Sequence, residues 1–119
     1  MINLFVKSKE SVKMVKNINS NEFIELMNDG SSIVLDVRTA QEVANGVIQN
    51  AINIDINSPS FPDKIQSLDK SKKHLVYCHS GQRSFFACNV MNQNGFTDLY
   101  NLQGGIINWT GEVVAYSEK

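Results

Sequence analysis

Apolar residues recur along this chain in short dense runs, separated by stretches with helical spacing. Ile33-Val34-Leu35-Asp36-Val37 is interrupted only by Asp36, and His74-Leu75-Val76-Tyr77 forms a second such run. Runs with little polar alternation suit strands covered on both faces, as in a parallel sheet. Val15–Ile18, Ala51–Ile54 and Thr97–Tyr100 predict three further strands. Between them the period lengthens. Asn19 or Ser20 caps a helix with Phe23, Leu26 and Met27 on one face, and Gly30 stands where a left-handed stop is favoured. Thr39-Ala40-Gln41-Glu42 is a capping box opening a short helix that ends near Gly46. Pro59 and Pro62 mark a loop leading into a helix with Ile65 and Leu68 inward, and Asp69–Lys73 is a charged turn. Gln82 to Asn92 predicts a helix ended by Asn94-Gly95, and Gly104–Trp109 a final short one. Repeated strand–helix alternation predicts a doubly wound α/β domain over residues 15–119. Residues 1–14 are an extension, either a short docked helix built on Leu4, Phe5, Val12 and Met14 or a loose segment.

Composition narrows the class. A chain of 119 residues with 42% hydrophobic content and a net charge of −1 is one ordinary globular domain. That balance gives no footing for nucleic acid. Ile2–Val6 is too short and too soon charged for a leader or a membrane span. The expectation is a cytoplasmic monomer without a membrane partner. The lysines cluster in 7–16 and 64–73 as solvated surface, whereas the only arginines, Arg38 and Arg83, fall just past predicted strand ends. Strand ends are where α/β domains place ligand groups. Cys78 and Cys88 make no disulfide framework, and with His79 they lack a four-ligand metal spacing. No metal or cofactor is expected. Cys88 reads as a core residue of the helix facing the sheet.

The candidate chemistry sits at Cys78-His79-Ser80-Gly81-Gln82-Arg83-Ser84, directly after the apolar run ending in Tyr77. A strand end, a glycine loop and a helix start form an anion cradle, with backbone N–H groups and the positive helix end turned inward. A thiol placed there ionises more easily than a free one, and the thiolate is the nucleophile. Gly81 lets the loop curl tightly. Arg83 has two readings: it binds a leaving anion, or, the preferred one, it braces the loop by pairing with Asp36. Asp36 and Arg38 read as ties between strand ends and loops, and Glu42 as a capping residue. His79 reads as a rim residue shaping access, His74 as structural, and Trp109 as a packing anchor.

Three motifs in order resemble the rhodanese-like family of sulfurtransferases in its single-domain form. They are Asp36-Val37-Arg38 with Glu42, Gly46-Val47-Ile48 and Ala51-Ile52-Asn53-Ile54; then Cys78-x-x-Gly81-x-Arg83-Ser84; then Leu102-Gln103-Gly104-Gly105-Ile106-x-x-Trp109. The chain departs from the family pattern at Val43, where an aromatic commonly follows the glutamate, and at Val47, where a histidine commonly precedes the isoleucine. The resemblance implies a central parallel sheet of about five strands between helices. It also implies that Cys78 cycles through a persulfide, taking sulfur from thiosulfate or a persulfide donor and passing it to a thiol or to cyanide. Four residues separate Cys78 from Arg83, one fewer than in phosphatases and arsenate reductases of similar fold, and the tighter loop suits a persulfide. The alternative is a non-turnover sulfur carrier or protein-docking module. Either way the thiolate is expected to be within reach of solvent.

Overall fold

The computed structural model describes residues 15–118; the extension expected over residues 1–14 lies outside them. Five parallel strands form the main sheet in the order β1 (Val15–Ile18), β6 (Leu99–Leu102), β5 (Lys73–Tyr77), β2 (Ser32–Asp36), β4 (Ile52–Asn53). The runs with least polar interruption, β2 and β5, lie side by side at the centre, as continuous burial on both faces requires.

Alternation along these strands divides two cores. Leu35, Val37, Val76 and Cys78 face one side, where α3 (Phe61–Lys64) and α4 (Gln82–Gln93) supply Phe61, Ala87, Cys88 and Met91. Val34, Leu75 and Tyr77 face the other, against Phe23 of α1 (Ser20–Asn28) and Val43 of α2 (Ala40–Val43). The doubly wound arrangement is therefore present. Both predicted N-terminal devices form. Asn19 and Glu22 make a reciprocal capping box at α1, and Thr39 and Glu42 make one at α2.

Several boundaries move. The last parallel strand is Leu99–Leu102 rather than 97–100, because Phe96 turns into the core and Asp98 O accepts from His74 N at 2.9 Å before pairing begins at His74–Leu99. β4 shrinks to Ile52–Asn53, and the segment after Pro62 is one helical turn followed by a 3₁₀ turn at Ile65–Ser67, with Ile65 buried and Leu68 half-buried. Residues 104–109 hold only a 3₁₀ turn, Ile106–Asn108. A second sheet was not expected: β3 (Val47–Ile48) pairs antiparallel with β7 (Val113–Val114). Two-residue strands carry too few positions for a period to register. Among the described residues no helix is long and apolar enough to cross a membrane.

Candidate active site

The position of Cys78 follows from strand parity. Val76 and Cys78 alternate with Tyr77, so the Cys78 side chain leaves the end of β5 toward the α4 side of the sheet. The chain then folds over it. Gly81, at φ +103°, caps α4 and turns its N–H back to Cys78 Sγ at 3.1 Å. Ser84 N reaches the same sulfur at 3.3 Å, and Ser84 Oγ stands 3.3 Å from it. Burial opposes ionisation of this thiol, but hydrogen bonds from Ser84, Gly81 and Ser80 outweigh it and hold the pKa below its ordinary value. Cys88, also buried but with no such donors, is pushed up to about 12. The two buried thiols are thus shifted in opposite directions.

The expectation of a solvent-reachable sulfur needs correction. Cys78 is 0% exposed, because the loop that supplies the amides also closes over the side chain. Behind that loop, Gly105 lies so close that a Cβ there would stand 2.2 Å from His79 O and 2.6 Å from Ser80 N. Ile106 N donates to Cys78 O and Ile107 N to His79 O, so the Gly104-Gly105 turn clamps the loop from outside.

Arg83 also departs from expectation. It braces, but its partner is Glu42 rather than Asp36: Nη1 and Nη2 meet the two carboxylate oxygens at 2.9 and 2.8 Å. Asp36 is occupied by Arg38, two residues along the same strand end, whose Nε and Nη2 reach it at 3.0 and 2.7 Å. The same Nη2 also donates to Gly46 O at 2.7 Å, which ties the end of β2 to the loop after α2. From the first turn of α4, Arg83 spans instead to the first turn of α2. Glu42 accepts there from Thr39 N and Oγ1 as well, and the Arg83 hydrogen bond leads in holding its carboxyl down to about 2. Arg38, Glu42, His79 and Arg83 share one cleft of about 450 Å³ with Ile106 and Val113. His79 is exposed at its edge. Gln82 and Ser80 face a separate cleft on the far side of the loop, beside Asn17, Phe85 and Asn101.

Two supporting residues escaped the sequence reading. Tyr77 Oη accepts from Ile48 N at 3.0 Å, anchoring the small sheet under the cleft. Asn101 contacts Ser84 from β6 and is 3% exposed. The available signal was an amide inside an otherwise apolar strand.

The rhodanese-like domain description matches residues 19–112. The chain belongs to this family. A sulfurtransferase of Allochromatium vinosum is 34% identical over 97 residues, covering 81% of this chain and 89% of the relative. A tRNA uridine(34) hydroxylase of Cytophaga hutchinsonii is 39% identical over 97 residues, 79% of this chain but 31% of that longer protein. Among solved structures, a rhodanese-related protein from Thermoplasma volcanium superposes with a TM-score of 0.74 at 34% identity, covering 85% of this chain and 99% of that one. The rhodanese-like fold thus recurs both alone and inside larger proteins.

Proposed function

We propose that this protein is a rhodanese-type sulfurtransferase in which Cys78 carries the transferred sulfur. The observation that carries this reading is the convergence of Gly81 N and Ser84 N on one sulfur atom, at 3.1 and 3.3 Å, at the start of a twelve-residue helix. Fixed amides aimed at a point where negative charge resides stabilise it without a reorganisation cost. Because the loop covers Cys78, a donor reaches the sulfur only when that loop gives way. The thiolate then attacks the donor's outer sulfur, the donor's S–S bond breaks, and its remainder leaves with the electron pair. Thiosulfate releases sulfite and a persulfide releases a thiolate. The Cys78 persulfide anion then lies over the same amides until an acceptor thiolate takes its outer sulfur.

Charge in the cleft favours a persulfide over thiosulfate as donor. Arg38 is neutralised by Asp36 and Arg83 by Glu42, so neither lining cation is free to draw a dianion. Asp36, Arg38 and Glu42 support the loop, while His79, Ser80, Gly81, Gln82, Arg83 and Ser84 form the cradle. Intact-mass measurement tests this. Incubation with glutathione persulfide is expected to add about 32 Da, one sulfur, at Cys78, more rapidly than thiosulfate does, and Cys78→Ser is expected to stay unmodified. A Cys78→Ser protein that loads as fully as the parent overturns the assignment. Turnover with cyanide or a small thiol separates an enzyme from a carrier that loads but does not discharge.

A further inference from the structure

Beside the sulfur stands a hydroxyl with two claims on its single proton. Ser84 Oγ lies 3.3 Å from Cys78 Sγ and 2.5 Å from Asn101 Oδ1, and a serine can donate only once. The orientation of Asn101 is not free. Its Nδ2 donates to Gly81 O at 3.1 Å and to Asn17 Oδ1 at 2.9 Å, and Gly81 O, a carbonyl, can only accept. Turning the amide over would set oxygen against oxygen at Gly81. Oδ1 is therefore committed to Ser84, and it too can only accept. Both groups are buried, Ser84 at 0% and Asn101 at 3% exposure, so water does not stand in for a lost partner.

We propose that Asn101 is a positioning residue that holds the Ser84 proton away from Cys78 while the sulfur is a thiol, and gives it up when the sulfur carries charge. In the thiol form the chain runs from Cys78 S–H to Ser84 Oγ, and from Ser84 Oγ–H to Asn101 Oδ1. On ionisation the thiol proton passes to solvent and Ser84 turns its proton to the sulfur. Ser84 Oγ and Asn101 Oδ1 then face each other with no hydrogen between them. Full stabilisation by Ser84 thus carries a penalty set by Asn101, and the backbone amides of Gly81 and Ser84 do the unopposed part. The consequence is a site poised between states rather than one locked as the anion, which suits a sulfur that must repeatedly change its bonding. This inference rests on the reading of Cys78 as the nucleophile and adds a residue of β6 to the site.

The test is thermodynamic coupling read on the thiol itself. The pH at which thiolate absorbance appears is followed in the parent, Asn101→Leu, Ser84→Ala and the double variant, below the range where Cys88 titrates. The charged and titratable groups around the loop are Asp36, Arg38 and Glu42 across the cleft, Asp55 beside Arg83, Tyr77 at the end of β5, and His79, Arg83 and Cys88 on the loop and helix; none is altered. Asn101→Leu is expected to raise the ionisation constant of Cys78 about tenfold, the scale of one hydrogen bond to a charged group. The same change made on Ser84→Ala is expected to do nothing. No rise with Ser84 present, or an equal rise without its hydroxyl, overturns the proposal. Should Asn101→Leu fail to fold, Ser84→Ala alone decides. Loss of a hydroxyl held away by Asn101 shifts the ionisation constant less than about threefold, and a larger fall means the proton was on the sulfur from the start. Titration proceeds whether or not any donor loads Cys78, so failure of sulfur transfer and failure of this coupling are separate results.

Discussion

Glu42 serves two residues at once, closing the N-terminus of α2 through Thr39 and pinning Arg83 on α4. The pair is about one-third exposed, so its contribution to stability is about 1 kcal/mol at most. It also occupies the guanidinium of Arg83, the one arginine between Cys78 and Ser84, so the charge open to an incoming donor is expected to depend on it. Glu42→Gln keeps an oxygen for capping and removes the charge. Loading from thiosulfate relative to glutathione persulfide is expected to rise in this variant, as measured by intact mass over time. An unchanged ratio would show that Arg83 does not govern anion entry. The same carboxylate sets an acid limb. Its folded pKa is depressed to about 2, so its stabilisation is complete above the unfolded value of about 4.3 and is lost as the pH falls toward about 2. Urea denaturation against pH is expected to lose that limb in Glu42→Gln.

At the scale of elements, the turn after β6 governs the loop after β5. Gly105 has φ +66° and faces His79 O, His79 C and Ser80 N with no room for a side chain. Gly30, at φ +80°, has nothing within 4 Å of where its Cβ would stand. Alanine at Gly30 meets a positive-φ backbone cost of about 1–2 kcal/mol, whereas Gly105, at φ +66° and ψ −166°, holds a conformation essentially confined to glycine. Only Gly105→Ala must also displace the cradle. It is expected to raise the Cys78 pKa and slow persulfide loading, while Gly30→Ala lowers thermal stability and leaves the thiol unmoved. Equal thiol titration in the two variants would separate the Gly104-Gly105 turn from the site. Element boundaries show how far local signals reach. The Thr39–Glu42 capping box and the cap at Asn19 were legible because each is closed within four residues of sequence, although the reciprocal bond from Glu22 was not read. The shift of β6 to Leu99–Leu102 was not, because strand register depends on the partner strand. The same holds for Arg83: its charge and position were plain, but its partner was decided by which helix start lay across the cleft.

Across the whole molecule, pH also acts through the core. His74 is fully buried within β5, its Nδ1 donates to Lys72 O at 2.9 Å, and its ring stands edge-on to Phe96 at 5.0 Å. Its Nε2 has no partner among the described residues, so protonation would place an unpaired N–H and a charge in the apolar layer. Burial lowers its folded pKa below the unfolded value of about 6.5. The unfolded chain therefore binds the proton first, and stability is full above about 6.5 and falls as the pH drops below it toward the lowered folded value. The melting temperature is expected to decline on that side of neutrality and to flatten in His74→Phe. A flat parent profile would remove His74 as the cause.

What the chain decided by itself was local: apolar runs dense enough to require burial on both faces, caps closed within a turn, and a cysteine followed at fixed spacing by glycine, arginine and serine. These interactions span a few residues and need no partner segment. The tertiary structure decided the pairings across segments: Arg83 with Glu42, Arg38 with Gly46 O, Ser84 with Asn101, and β3 with β7. It also decided that Cys78 is covered rather than open, since the loop and the Gly104-Gly105 turn meet only once β5 and β6 lie side by side.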